Sequence, residues 1–234
     1  MINLKYIVTG TGRCGTLFTA NLLTSMGFPC THEAIFTPEG MDKAKRIIRQ
    51  DEPAISSMIS RGDNLSDYEL EIVAESSYMA APFLKEFDAQ VIHVVRNPSG
   101  VVASMISETF RNFTNIHPTD IPEFPDHIMH EDFMYGHVNE LNREMTQIDR
   151  CCLFYVRWNK MIEKSGRVAI RHRIEDGTDE LKGFFKFEGE CYANTKCNSK
   201  PSSVWSFSDI QTKSIKSELF DMMSRYGYRS HKIY

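Results

Sequence analysis

At 234 residues, 41% hydrophobic and 25% charged, the chain has the composition of an ordinary globular protein able to bury one sizeable core. Its net charge of −4 argues against the broad basic stripe with which proteins grip nucleic acid, so an anionic ligand must be held locally. No run approaches the roughly 20 apolar residues of a membrane span, and the opening MINLKYIVTG has no signal-peptide layout. A single domain over residues 1–234, cytoplasmic and without nucleic-acid or membrane partners, is the expectation. The six cysteines, Cys14, Cys30, Cys151, Cys152, Cys191 and Cys197, lack both paired CxxC spacing and disulfide-scaffold density, so reduced thiols and no structural zinc are expected.

Leu4 to Thr9 is a short apolar run ending at glycines; beyond them Leu17, Phe18, Ala20, Leu22, Leu23 and Met26 recur at helical spacing until Gly27. This predicts strand, glycine loop, helix. A second strand is expected over Phe28 to Thr31, then a helix placed by Pro38, a third strand over Leu70 to Ala74 and a helix from Ser76 to Phe87. Gln90 to Val95 (QVIHVV) reads as a buried parallel strand. Arg96-Asn97-Pro98 ends it, and Pro98 suits the first position of a helix with Val101, Val102, Met105 and Ile106 on one face. Phe113 to His130, with Pro118, Pro122 and Pro125, reads as a long irregular segment of the kind that is usually functional or mobile. A helix over Glu131 to Lys164, a strand over Arg167 to Arg171, a short helix over Thr178 to Phe187, a polar loop over Gly189 to Ser203 and a closing helix from about Ser208 to Tyr226 complete the pattern. Alternating strands and helices imply an α/β fold with a parallel sheet.

The stretch G-T-G-R-C-G-T, Gly10 to Thr16, carries the chemistry. Glycines let the backbone turn tightly so that amides and a helix N-terminus face an anion. As a dinucleotide fingerprint G-x-G-x-x-G it finds an acidic residue, Glu33, near the place where a ribose would be held, but a bulky arginine interrupts the glycines and no second mononucleotide-binding half follows. As a nucleoside-triphosphate loop, Gly10 and Gly15 have the right separation, but the lysine is missing and its charge has moved to Arg13.

Y-I-V-T-G-T-G-R-C-G-T-L-F resembles the 5'-phosphosulfate loop of sulfotransferases, G-x-x-R-S-G-T-[TS]-L, with Cys14 in place of the usual serine. V-I-H-V-V-R-N-P-S-G-V-V-A-S resembles the family's 3'-phosphate motif, a strand followed by R-[DN]-P and a serine eight residues after the arginine. C-T-H-E-A-I-F stands where several branches of that family carry a catalytic glutamate, and other branches use histidine. The resemblance implies a P-loop-type α/β fold, a three-layer sandwich whose central parallel sheet is flanked by helices, and a donor, 3'-phosphoadenosine 5'-phosphosulfate (PAPS), used without a metal. It implies that Gly10, Thr11, Gly12, Arg13, Cys14, Gly15, Thr16 and Leu17 hold the phosphosulfate, and that Arg96 and Ser104 hold the 3'-phosphate. Glu33, or His32, would be the base, Arg13 would assist the leaving group, and Lys200 would close over the nucleotide.

The segment A-E-S-S-Y-M departs from the family by placing Glu75 where a lysine is often found. The acceptor implied is a hydroxyl on a carbohydrate, small molecule or peptide, with 113–133 as a loop or lid beside it. The same aromatics and histidines would equally serve a homodimer contact or a core edge. Two alternatives stay open at this point: a small-molecule or nucleotide kinase using ATP and magnesium, and a sulfotransferase-like binding domain without catalysis.

Overall fold

The computed structural model describes residues 2–49, 72–107, 125–191 and 205–228. The chain is α/β: a five-stranded, all-parallel sheet is flanked by helices, as in a three-layer sandwich. The strands are β1 (Tyr6–Thr9), β2 (Cys30–His32), β3 (Ala74–Ser76), β4 (Gln90–Val95) and β5 (Val168–Arg173), in the spatial order β2-β3-β1-β4-β5. The helices are α1 (Thr16–Ser25), α2 (Met41–Ile48), α3 (Pro98–Ser107), α4 (Pro125–His137), α5 (Gln147–Lys164), α6 (Asp179–Phe185) and α7 (Lys213–Arg225).

Two compact units divide the chain. One comprises Met1–Gly10, Cys14–Val95 and Met161–Cys197 and holds the whole sheet; the other comprises Thr11–Arg13, Arg96–Lys160 and Asn198–Tyr234. In the first, Ile7 and Val8 of β1 and Val91, Ile92 and Val94 of β4 are buried on adjacent strands, and α1, with Ala20, Leu22 and Leu23 buried, packs on β1, β2 and β3. β1 lies between β3 and β4, so the chain runs to opposite sides of it, and the crevice at such a switch point is where open α/β sheets bind ligands. In the second, α5 is buried along most of its length, with Phe154 and Trp158 tilted against each other at 4.7 Å between ring centroids. Asp149 of α5 accepts from the Gln211 and Thr212 amides, tying down the start of α7.

Several element boundaries differ from the sequence reading, each for a local reason. The helix predicted over Glu131 to Lys164 is two helices, because Asn142 accepts from the Glu144 amide and Thr146 from the Asp149 amide, satisfying the backbone without helix. The helix α4 begins at Pro125, inside the segment read as irregular; a proline suits that first position. The stretch Tyr78–Glu86 is a 3₁₀ helix containing Pro82, which has no amide to donate in an α-helix. The third strand lies further along than predicted, because Glu75 and Ser76 belong to it despite their polarity. The closing helix starts at Lys213, after a short 3₁₀ turn over Phe207–Asp209.

Candidate functional site

The loop between β1 and α1 is built around close approaches. A Cβ on Gly10 would meet the Val94 carbonyl oxygen at 2.2 Å and the Cys14 sulfur at 2.5 Å, so only glycine fits where β1 ends beside β4. Cys14 is fully buried, with its thiol turned inward against Gly10; whatever it offers a ligand comes from its amide. None of the described cysteines, Cys14, Cys30, Cys151, Cys152 and Cys191, is in a disulfide. Gly15, at φ 106°, takes the N-cap position of α1 and has no side chain with which to cap the first-turn amides. Thr16, the first helical residue, receives a 2.8 Å hydrogen bond on its carbonyl from the Ser76 hydroxyl. The buried Thr11 hydroxyl has no hydrogen-bond partner among the described residues, an omission that a polar ligand would explain.

Arg13 adopts φ 70°, a left-handed conformation that is costly for any residue with a Cβ. From it the Arg13 Nε donates to the Ser104 hydroxyl at 2.9 Å across 91 residues of sequence. The Arg96 guanidinium donates to the Arg13 carbonyl at 3.2 Å and lies against Gly100, where a Cβ would come within 3.2 Å of its Nε. Tyr155 donates its hydroxyl to the Arg96 carbonyl at 2.9 Å, fixing the turn after β4. Trp205 donates to the Ser99 carbonyl in the first turn of α3. Two arginines and a serine, drawn from two distant segments, are therefore linked beside α3: the Arg13 side chain to Ser104, and the Arg96 guanidinium to the Arg13 backbone. A guanidinium presents a fork geometry that suits phosphate oxygens.

The other predicted residues gather on the sheet unit. His32 ends β2, and its Nδ1 lies 3.0 Å from the Ser76 carbonyl. A carbonyl only accepts, so Nδ1 carries the proton and Nε2 is the basic nitrogen of the neutral ring. That Nε2 is 4.0 Å from the Glu33 carboxylate. Glu33 follows at φ 53°, again left-handed, with its amide donating to the Ser76 carbonyl at 3.0 Å. Both side chains remain partly open to solvent, at 24% and 34% exposure, as groups that meet a substrate must be.

Beside them stand two residues that the sequence reading did not place in the site. Glu75 is fully buried; its Oε1 accepts from the amides of Ala34 and Ile35 at 3.0 Å each and of Phe36 at 3.4 Å, and its Oε2 accepts from the Thr31 hydroxyl. Burial pushes its carboxyl up to about 7 against the pull of those hydrogen bonds. Tyr78 is nearly buried, and its phenol is held well above its ordinary pKa by burial and then by the negative charge of Glu33. The signal for Glu75 was present in the sequence as a lone charged residue between an apolar run and a serine pair. Tyr78 has no such signal, because an aromatic at the start of a helix is ordinary core material.

Thus the residues predicted from the two arginine motifs, Arg13, Arg96 and Ser104, are brought together, and His32 and Glu33 are adjacent on β2 and its following turn. Lys200, and residues 113–124 of the predicted lid, lie outside the described residues. Residues 125–133 of that segment open α4. Among the described residues no helix is long and apolar enough to cross a membrane. No family model matches the sequence, and no curated protein matches it significantly.

Proposed function

We propose that the protein is a sulfotransferase that moves the sulfuryl group of PAPS to a hydroxyl acceptor. The observation that carries this reading is the meeting of Arg13, Arg96 and Ser104 beside α3. It supplies a second anion site beyond the glycine loop, as a donor carrying both a 5'-phosphosulfate and a 3'-phosphate requires. The orphaned Thr11 hydroxyl and the uncapped first turn of α1 fit the same ligand. In this reading the amides from Gly12 to Leu17 hold the phosphosulfate, with Gly10 keeping their approach open, and Arg96 and Ser104 hold the 3'-phosphate. Arg13, bonded to Ser104, lends its charge to the leaving phosphate.

The reaction joins the acceptor oxygen to sulfur and breaks the bond from sulfur to the phosphate oxygen, with adenosine 3',5'-bisphosphate leaving. The acceptor's proton passes to Glu33 or His32. The fixed tautomer of His32 makes its Nε2 a competent base, and the neighbouring Glu33 carboxylate stabilises the imidazolium that results. The left-handed backbone of Glu33 supports its own candidacy, since strain held at a residue with a side chain is characteristic of functional positions.

Incubation with sulfur-labelled PAPS and a panel of carbohydrate, phenolic and peptide hydroxyls, without added metal, tests the proposal. Label should appear on one acceptor class. A protein stabilised against heat by ATP with magnesium, and not by adenosine 3',5'-bisphosphate, would instead be a kinase. Stabilisation by the bisphosphate with no transfer to any acceptor, and no hydrolysis of PAPS, would leave a binding domain.

A further inference from the structure

The turn after β2 is an anion-binding concavity that the protein fills with one of its own carboxylates. Three consecutive amides, Ala34, Ile35 and Phe36, converge on Glu75 Oε1, while Thr31 on the other side of Glu33 engages Oε2. Residues 34–36 are themselves buried at 1% exposure or less, so water cannot replace these bonds. Glu33 sits at the apex, in a backbone conformation unfavourable to it, and its amide is held by the carbonyl of Ser76, the residue next to Glu75. A strained residue keeps its geometry only where its surroundings over-determine it. Here that determination comes from β3, through the Glu75 side chain and the Ser76 carbonyl.

We propose that Glu75 is the positioning residue of this site: its carboxyl fixes the turn from Thr31 to Phe36 and so holds His32 and Glu33 in place to take the acceptor's proton. The proposal rests on the sulfotransferase reading for its chemistry but not for its geometry. It also gives the glutamate a task at a position where the resembling family often has a lysine. The Glu75 carboxyl points from β3 into the turn after β2, and its hydrogen bonds are spent on the Ala34, Ile35 and Phe36 amides and the Thr31 hydroxyl rather than on donor or acceptor.

Three variants test it. Glu75→Gln retains a carbonyl oxygen for the three amides and an N–H for the Thr31 oxygen. Glu75→Asp is one methylene short of the amides, and Thr31→Val removes only the hydroxyl, a milder change should the aspartate variant fail to fold. Amide hydrogen exchange at Ala34, Ile35 and Phe36 should accelerate at least tenfold in Glu75→Asp, or by a smaller but measurable factor in Thr31→Val, and remain unchanged in Glu75→Gln. In parallel, kcat for sulfuryl transfer should fall about tenfold in Glu75→Asp, while KM for PAPS and affinity for adenosine 3',5'-bisphosphate stay within twofold. Glu75→Gln should keep kcat within threefold. Unchanged exchange in both damaging variants would overturn the proposal. So would a kcat in Glu75→Asp within threefold of the parent, a loss in Glu75→Gln equal to that in Glu75→Asp, or a fall in kcat matched by lost donor affinity. Absence of transfer by the parent protein would defeat the sulfotransferase reading, and the exchange measurement would still decide whether Glu75 holds the turn.

Discussion

Replacing Glu33 by glycine separates the two things that residue does. In the folded protein Glu33 occupies φ 53°, where a Cβ costs about 1–2 kcal/mol and glycine costs nothing. Glycine also loosens the unfolded chain, an opposing effect of about 0.4–1 kcal/mol. The carboxylate is a third exposed, and its approach to His32 is a 4.0 Å pair of the kind that contributes little at a surface. Removing it also takes a negative charge away from Tyr78. Glu33→Gly should therefore be as stable as the parent or more stable by up to about 1 kcal/mol, a rise in Tm of up to about 2–4 °C for a chain of this size. Turnover should fall by about a hundredfold or more if Glu33 is the base. Thermal unfolding followed by circular dichroism, paired with a labelled-PAPS assay, reads both quantities. A variant destabilised by more than 1 kcal/mol would refute the strain argument. If Glu33→Gln retained full turnover, Glu33 would be removed as base and the role would pass to His32.

Other substitutions probe separate parts of the account. Arg96→Ala should weaken adenosine 3',5'-bisphosphate about ten- to hundredfold, the value of one or two charge-assisted hydrogen bonds, and leave AMP unaffected in calorimetry. Arg13→Ala should reduce kcat more than donor affinity, measured in the same transfer assay. Gly10→Ala drives a methyl into the Val94 carbonyl oxygen and the Cys14 sulfur, and urea unfolding should show a loss of about 3 kcal/mol or more. Glu75 sets a pH dependence of stability. Its folded pKa of about 7 lies above the ordinary value of 4.5, so the folded protein keeps a proton that the unfolded chain has lost. That contribution is complete below about pH 4.5 and is lost as pH rises through about 7, at most about 3 kcal/mol in all. Thermal melts of Glu75→Gln should therefore gain on the parent between pH 5 and pH 8, and parallel profiles would contradict the assignment.

The alternation of apolar runs and helical periodicity was enough to read β1, α1, β4 and α3, because in each the pattern is carried by local residues and punctuated by glycine or Arg-Asn-Pro. The same is true of the arginine and serine spacing, since the turn from β4 into α3 converts eight residues of sequence into one cluster. That Arg13 joins it was not legible, because a hydrogen bond across 91 residues leaves no local trace. Cys14 read as one of the loop residues that hold the phosphosulfate, in place of the usual serine; its side chain points into the protein, and a glycine loop has no periodicity to tell inside from outside. Glu75 read only as a departure from the family's lysine, because its partners are three backbone amides, which have no residue identity, and a threonine 44 residues away. The break between α4 and α5 was hidden for a similar reason: Asn142 and Thr146 act there through single side-chain bonds to backbone within an otherwise helix-compatible composition.

In the proposed sulfotransferase the nucleotide is recognised by two phosphates, one at the glycine loop and one at the arginine and serine pair. Isothermal titration calorimetry in EDTA, comparing adenosine 3',5'-bisphosphate with AMP on the unmodified protein, tests it most directly. The bisphosphate should bind at least tenfold more tightly than AMP, and Arg96→Ala should erase the difference. Equal affinities, or a difference that survives Arg96→Ala, would contradict it.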